Sequence, residues 1–291
     1  MLPHSERMTT HEKGGVVYYT FPAFDALPFV RHGFSTRLGG VSEGIYASMN
    51  LSFTRGDDPA CVRENFRRFC AAAGMDAGQV VVSAQEHHVN IRNATAADRG
   101  RGVDRERGYA DIDGLLTDEP GVVLCTQYAD CVPLLFVDPV RRVVGTSHAG
   151  WRGTVARIGA VTVERMAADY GCRREDILAA VAPSIGPCCF EVDEPVFAAF
   201  SQAFAWDGFQ TAAKADGLET GCYEAAAGGK YRLNLWEITG GSCWRQGCRR
   251  AISPLPTCVP AAIRSCSGPI GRRDRREGAW RPLSPCRNDG A

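Results

Sequence analysis

Three short motifs of this 291-residue chain contain side chains whose types and spacing could do chemistry. Cys131 ends the motif Ala-Asp-Cys before one apolar run, and His148 opens His-Ala-Gly-Trp-Arg-Gly after the next. Further back, Gln-Glu-His-His offers either His87 or His88 at the end of another apolar run. Two imidazoles and one thiolate form a three-ligand set with an open fourth position, which is typical of catalytic zinc. The same donors also bind copper, so both metals are candidates.

Other interpretations of these residues remain open. A single cysteine before an apolar strand is often buried and inert. Alternatively, Cys131 could be the nucleophile of a metal-free hydrolase with His148 as its base. A copper oxidase is a further possibility, although the chain has no His-x-His pair of the kind expected of a multicopper centre. A non-catalytic protein is the remaining alternative.

A β-hairpin is the element that must bring two of the donors together. The apolar runs on either side of Asp-Pro-Val-Arg-Arg have the composition of paired strands. Pairing Val137 with Arg142 places Cys131 directly opposite His148. Directly opposed side chains have Cβ atoms about 5 Å apart. In this register the two donors are predicted to lie on one face of the hairpin, whereas a one-residue slip would send them to opposite faces.

Five further residues are candidates for the same site. Asp130 could act as a catalytic acid or base, or orient a histidine, or cap a turn. Arg37, in a glycine-rich loop, and Arg152, before a predicted helix, could each hold an anionic oxygen of the substrate or bond to nearby carbonyls. Gly39 and Gly40 are predicted to line the substrate-binding loop, or to supply its turn geometry.

Helical and strand patterns alternate irregularly along the chain, which favours an α+β fold over a doubly wound parallel sheet. We expect a single domain of mixed β-sheets with flanking helices. The predicted helices span 58–73, 153–170 and 194–204, and the predicted strands span 79–85, 113–118, 122–129, 132–137, 143–148 and 177–182.

The bulk composition is that of an ordinary globular protein, with 45% hydrophobic and 23% charged residues. No apolar run reaches the length of a membrane span, and the first residues do not form the apolar core of a signal peptide. We therefore expect a cytoplasmic protein with no membrane partner.

The C-terminal part of the chain differs in composition from the rest. Residues 241–291 contain ten Arg, no Lys and three acidic residues, a net charge of +7 against −7 for the remainder. High-GC DNA read out of frame gives such a mixture, and a shifted reading from codon 238 can encode protein-like sequence. We therefore predict a frameshift near this codon, a catalytic domain over 16–238 and a disordered tail over 239–291. Because the basic charge is then an artefact, no nucleic-acid partner is expected.

Ten motifs, in order over about residues 30–237, resemble the multicopper polyphenol oxidase or laccase-domain family of purine nucleoside phosphorylases, the YfiH-like proteins. They are His-Gly-Phe-Ser-Thr-Arg-Leu-Gly-Gly-Val-Ser (32–42), Asn-Leu-Ser (50–52), Gly-Asp-Asp-Pro (56–59), Val-x-Glu-Asn (62–65), Gln-Glu-His (85–87), Asp-Gly-Leu-Leu-Thr-Asp (113–118), Ala-Asp-Cys-Val-Pro-Leu-Leu (129–135), His-Ala-Gly-Trp-Arg-Gly-Thr (148–154), Pro-Ser-Ile-Gly-Pro-Cys-Cys-Phe-Glu-Val (183–192) and Leu-Asn-Leu-Trp (233–236).

The resemblance implies a function and a set of metal ligands. The ligands fall on His87, Cys131 and His148, with His87 at the Gln-x-His position. The implied reaction is phosphorolysis of adenosine, inosine and methylthioadenosine to free base and ribose 1-phosphate, with adenosine deamination at the same site. Purine nucleosides and phosphate are then the partners. An older family assignment is copper-dependent phenol oxidation. The family's closing motifs are absent from the chain as written, so loss of the native C-terminus could leave the product inactive.

Overall fold

The computed structural model describes residues 8–204 and 222–252. Within them the α-helices are α1 (Pro22–Asp25), α2 (Pro59–Ala72), α3 (Trp151–Val155), α4 (Ile158–Tyr170), α5 (Glu194–Ala203) and α6 (Leu235–Trp244). The strands are β1 (Thr9–Lys13), β2 (Val16–Thr20), β3 (Phe34–Ser35), β4 (Val80–Val82), β5 (Ile91–Asn93), β6 (Gly114–Thr117), β7 (Val123–Cys125), β8 (Val132–Asp138), β9 (Val143–Ala149), β10 (Leu178–Val181), β11 (Glu191–Val192), β12 (Tyr223–Ala226), β13 (Lys230–Leu233) and β14 (Arg249–Ile252). Short 3-10 helices span Gly44–Tyr46, Ala77–Gln79, Ala96–Asp98 and Arg174–Asp176.

A six-stranded mixed sheet in the order β14-β10-β8-β9-β6-β5 forms the centre of the fold. Its edge pairs β10–β14 and β5–β6 are parallel, whereas the inner pairs are antiparallel. Two three-stranded sheets and the parallel pair β4–β7 surround it. The predicted α+β class, with mixed sheets and flanking helices in one domain, is confirmed.

The central sheet is apolar on both faces because β8 alternates between two cores. Val132, Leu134 and Phe136 point into the core that contains residues of α4 and α6. Leu135 and Val137 point the other way, into the core formed with β2, α1 and β3. The two-residue period of a strand produces this division. Side chains at the ends of β8 and β9 are therefore positioned by packing on both faces of the sheet.

The β8–β9 hairpin forms, but its register differs from the predicted one by two residues. Val137 pairs with Val144 instead of Arg142, and His148 pairs with Pro133 instead of Cys131. The Asp138 carboxylate accepts hydrogen bonds from two backbone N–H groups of the turn. Arg142 has a left-handed backbone (φ 57°) and lies in the turn, so strand pairing begins with Asp138 opposite Val143. A shift of two residues keeps the side chains on the predicted face.

The helix predicted over 153–170 is interrupted. It forms two helices, α3 and α4, separated at Arg157, whose backbone is left-handed (φ 60°). The Arg157 side chain donates a hydrogen bond to the carbonyl of Ala203, 2.6 Å away, at the end of α5. The break between α3 and α4 thus occurs at a contact with α5, which the local sequence does not predict.

The predicted disorder from residue 239 is wrong for the described part of that segment. Asn234 caps α6, which continues to Trp244, and β14 then pairs with β10. Ile238, Thr239 and Cys243 are buried. Residues 253–291 lie outside the described residues, and the shift of reading frame itself stays a prediction. Among the helices described, none combines the length and apolarity needed to cross a membrane.

Candidate functional site

The donors predicted from the sequence meet at one place. The ligand atoms of His87, Cys131 and His148 all lie within 4.8 Å of one another. His88, the alternative to His87, does not belong to this cluster, and its Nδ1 lies 2.6 Å from Asp111. Across the residues described, no second group of three or more His, Cys, Asp or Glu side chains is arranged to hold a metal ion. We call these three residues the donor cluster.

Each donor reaches the cluster from a different element. His148 is in β9 and is buried, Cys131 immediately precedes β8 and is half-buried, and His87 follows β4 and is exposed. Because the hairpin register is shifted, Cys131 and His148 are not directly opposed, and Cys131 approaches from beyond the end of its strand. The cluster therefore combines one rigid strand donor with two donors held by loops.

Gln85 connects the two loop segments. Its side-chain amide donates to the carbonyl of Gln127 (2.6 Å), and its side-chain oxygen accepts from the backbone N–H of Gln127 (2.8 Å) and from Ser83 (2.6 Å). This pair of reciprocal bonds fixes the segment before His87 to the segment before Cys131. The glutamine of the Gln-x-His motif thus has a physical role beside the histidine.

Asp113 was not singled out from the sequence, yet it contacts two of the donors. Its fully buried carboxylate lies 2.8 Å from Nδ1 of His148 and accepts the backbone N–H groups of Glu86, His87 and His88, each at 3.0 Å. Its own carbonyl accepts the backbone N–H of His148 at 2.8 Å. Two sequence signals were available: Asp113 directly precedes a buried strand, and it is the first residue of the motif 113–118 that contributes to the family resemblance.

Gly150 leaves the room that the cluster needs. A Cβ atom at this position would lie 2.6 Å from Cδ2 of His87 and 3.2 Å from Sγ of Cys131. The backbone of Gly150 has φ −68°, which every residue type adopts easily, so glycine is required here for space and not for conformation. This explains the glycine in His-Ala-Gly-Trp-Arg-Gly.

Burial shifts the pKa values of two of the three donors toward their neutral forms. Burial, with Asp130 and Asp113 contributing, raises the pKa of the Cys131 thiol to about 12. Burial and the neighbouring His148 lower the pKa of His87, and Arg152 contributes to the same direction. A thiol with a raised pKa is a poor nucleophile at neutral pH, whereas a coordinated thiol is deprotonated by its metal.

The donor cluster lies in the wall of a cavity of about 1110 Å³, which is lined by residues of β8 and β9 in the central sheet, of α2 and of the segment 29–35. Three hydroxyl side chains line the same wall: Thr126, Tyr128 and Thr146. Thr126 contacts Tyr128 and lies 2.6 Å from Thr146, and the Tyr128 hydroxyl donates to the carbonyl of Ser147 (3.2 Å). The cavity is large enough for a nucleoside-sized ligand.

Three predicted substrate-binding residues make contacts with the protein's own backbone. The Arg37 guanidinium donates to the carbonyls of Ala47 (2.7 and 3.0 Å) and Ile45 (3.3 Å). A Cβ at Gly39 would lie 2.3 Å from the carbonyl oxygen of Gly15, and one at Gly40 would lie 2.0 Å from that of Ser48. These residues give the loop its shape, and their role toward a substrate stays a prediction.

The other two predicted residues lie beside the cluster. The backbone carbonyl of Asp130 accepts the N–H of Ile185 at 2.9 Å, which anchors the turn before Cys131. Arg152 is exposed, with its guanidinium carbon 4.2 Å from the centroid of the Trp151 ring. Its positive charge contributes to the lowered pKa of His87, after burial and His148.

The fold and the donor cluster together define a known class. The chain belongs to the multi-copper polyphenol oxidoreductase laccase family, whose sequence profile matches residues 31–262 and therefore continues past residue 238. A purine nucleoside phosphorylase of Deinococcus radiodurans is 45% identical over 174 residues, which are 60% of this chain and 64% of that protein. The adenosine deaminase RL5 of an unidentified prokaryote is 37% identical over 174 residues, or 58% of this chain and 65% of that protein.

A solved structure has the same architecture. The crystal structure of YlmD from Geobacillus stearothermophilus superposes with a TM-score of 0.73 and 31% identity, covering 86% of this chain and 88% of that one. The aligned segment spans less than two thirds of the length of each of the two sequence relatives.

Proposed function

We propose that this chain is a metal-dependent purine nucleoside phosphorylase. In this proposal it converts adenosine or inosine and phosphate to the free base and ribose 1-phosphate, and methylthioadenosine and phosphate to adenine and 5-methylthioribose 1-phosphate. It also deaminates adenosine at the same site, with water as co-substrate and ammonia as the second product. The observation that carries the proposal is the convergence of His87, Cys131 and His148 in the wall of a nucleoside-sized cavity. The names of the two sequence relatives support the two reactions.

We infer that the donor cluster holds zinc or copper. Two imidazoles and a thiolate suit both metals and leave a coordination position for a further ligand. The close approach of His87 and Cys131 to Gly150 and the fixed Nδ1 of His148 are the features of the protein that suit such a site. When bound, the metal would act as a Lewis acid that lowers the pKa of a coordinated water or polarises an oxygen of the substrate.

The chain's own residues would bind and orient the reactants. Arg152 supplies an exposed guanidinium beside the cluster, and such a group binds phosphate oxygens through two parallel hydrogen bonds. Thr126, Tyr128 and Thr146 offer hydroxyls along the cavity wall to the polar atoms of a nucleoside. We propose that Asp130, next to Cys131 in sequence, serves as an acid or base within this site.

The test is an assay of adenosine with and without phosphate, with bound metal measured on the same sample. Adenine and ribose 1-phosphate would support the phosphorylase, and inosine would support the deaminase. A sample that holds one equivalent of metal and forms neither product would overturn the proposal. Oxygen uptake with a phenol would instead indicate the oxidase named in the family description.

Adjacent histidines provide a matched pair of variants. His87→Ala removes a cluster donor, whereas His88→Ala removes an exposed neighbour that bonds to Asp111. We expect His87→Ala to lose bound metal and at least about 100-fold in kcat, since several kcal/mol of charge stabilisation depend on the metal. His88→Ala should keep the metal. Equal losses in both variants would contradict the assigned ligand set.

A further inference from the structure

Asp113 occupies the point where the segments carrying His87 and His148 meet, and every group it contacts is a hydrogen-bond donor. Oδ1 faces the backbone N–H of His87 and Nδ1 of His148, and Oδ2 faces the N–H groups of Glu86 and His88. A buried carboxylate needs such partners, because burying it without them costs several kcal/mol. The four donors satisfy it completely within its buried position.

The carboxylate also stabilises an unfavourable backbone conformation. His87 has φ 67°, in the left-handed region that residues other than glycine rarely adopt. Consecutive backbone N–H groups around such a residue form a concave site for an anion. Here the anion is the Asp113 side chain, which binds the N–H groups on both sides of His87 and that of His87 itself.

From these contacts we infer that Asp113 is the positioning residue of the donor cluster: it fixes the proton of His148 on Nδ1, leaving Nε2 as the ligand atom, and holds the turn that presents His87. The inference rests on the proposed metal site. Because a carboxylate only accepts hydrogen bonds, Nδ1 of His148 must carry the proton at this contact. A histidine that ligates a metal through one nitrogen commonly donates the other N–H to a carboxylate.

The variant Asp113→Asn distinguishes this role from simple core packing. If its NH₂ group replaced Oδ2, it would oppose two backbone N–H groups, those of Glu86 and His88. If it replaced Oδ1, it would oppose one backbone N–H and the imidazole, which can respond by moving its proton to Nε2. The second orientation has fewer conflicts. Asparagine should therefore reverse the tautomer of His148 and block its ligand atom.

The first experiment needs no variant at Asp113. In metal-free protein labelled with ¹⁵N-histidine, long-range ¹H–¹⁵N correlation spectra report the tautomer of each ring, and a His148→Gln sample assigns the signal. We expect the Nδ1–H form for His148. Finding the Nε2–H form in the unaltered protein would overturn the inference, whether or not Asp113→Asn folds.

The second experiment compares Zn²⁺ affinity by competition with a chromophoric chelator. Asp113→Asn should bind Zn²⁺ about 10–100-fold more weakly, the usual loss when such a carboxylate is removed, and its His148 should change to Nε2–H. Asp98→Asn is the matched control, because Asp98 is also a buried carboxylate but binds Thr95, Arg92 and Arg101 away from the cluster. It should destabilise the fold without altering Zn²⁺ affinity.

The outcomes separate the two proposals. If the unaltered protein binds Zn²⁺ and Asp113→Asn keeps both its affinity and the Nδ1–H tautomer, the role of Asp113 is refuted while the metal site stands. If the unaltered protein binds neither zinc nor copper but shows an Nδ1–H tautomer that depends on Asp113, the proposed function fails and the positioning role is supported.

Discussion

Substituting Gly150 by alanine should remove the metal from the donor cluster while leaving the fold intact. The added methyl carbon would lie 2.6 Å from Cδ2 of His87, whereas carbon atoms in contact are normally at least about 3.5 Å apart. The imidazole must therefore move by about 1 Å. Metal–ligand bond lengths tolerate deviations of only about 0.2 Å, so the ring could no longer bind a metal shared with Cys131 and His148.

The cost to folding should be small. Gly150 has φ −68° and ψ 171°, where alanine is unstrained, and replacing glycine at such a position stabilises by about 0.4–1 kcal/mol through the unfolded chain. His87 is exposed, so its ring can turn toward solvent without disturbing the core. We expect a melting temperature for metal-free protein within a few degrees of the parent, together with a loss of Zn²⁺ affinity exceeding about 100-fold, more than removal of an outer partner causes.

The assay is Zn²⁺ competition with a chromophoric chelator, accompanied by thermal unfolding of metal-free protein. Gly78→Ala is the control, since its Cβ would make only ordinary contacts, 3.5 Å from Asp76 and 3.9 Å from Asp104. It should bind Zn²⁺ like the parent. Retention of full affinity by Gly150→Ala would refute the view that this glycine keeps space for a ligated His87, as would a comparable loss in Gly78→Ala.

Two further predictions concern His32 and Arg37, which precede the donor cluster in the sequence. Burial holds the pKa of His32 at about 4, and its neutral Nε2 accepts the N–H of Phe21, so the stability gained from this pair is complete above pH 6.5 and is lost as the pH falls through 4. The loss in the free energy of unfolding should approach about 3 kcal/mol. Urea titrations at pH 7 and pH 4.5 should show that this free energy depends less on pH in His32→Gln than in the parent. An equal pH dependence in the two proteins would refute the assignment. Arg37→Ala should cost about 1–2 kcal/mol through its bonds to loop carbonyls, with an unchanged KM for phosphate; a raised KM without loss of stability would instead support the predicted anion-binding role.

Much of the fold could be predicted because the apolar periods of the central strands are strong. The apolar runs predicted strands over 132–137 and 143–148, and β8 and β9 lie at these positions. Cys131 and His148 lie close together, as expected for two residues on the same face of the hairpin. The register was not predicted correctly, because it depends on the turn. The Asp138 side chain binds the N–H groups of Val140 and Arg141, and Asp138 pairs with Val143, which leaves Arg142 in the turn and not opposite Val137.

The errors beyond the hairpin arise from tertiary contacts. A continuous helical pattern across Arg157 gave no reason for a break, but the observed break places this side chain against the end of α5. Composition after residue 238 indicated a tail, yet Asn234 caps a helix there whose Ile238 and Cys243 are buried against the central sheet. Burial of an apolar face can stabilise a helix whose local sequence is poor in helix formers.

The metal donors of the site were predicted and Asp113 was missed, because the two kinds of residue act through different interactions. His148 and Cys131 could be singled out from one sequence because imidazole and thiol groups bind metals and because the two residues flank apolar runs spaced as a hairpin. Asp113 could not, because an aspartate before a strand is common and its importance lies in four donors contributed by residues 25 to 35 positions away. In Asp113→Asn, some of those N–H groups would face the donor NH₂ of the asparagine. If a solvent-exposed aspartate were replaced in the same way, water would hydrate its former partners. The role of a carboxylate is therefore set by the groups that it binds. Asp113 and Asp98 are both buried, but of the two Asp113 binds the segments that carry the metal donors, so comparing their variants separates positioning of the donors from burial of a carboxylate.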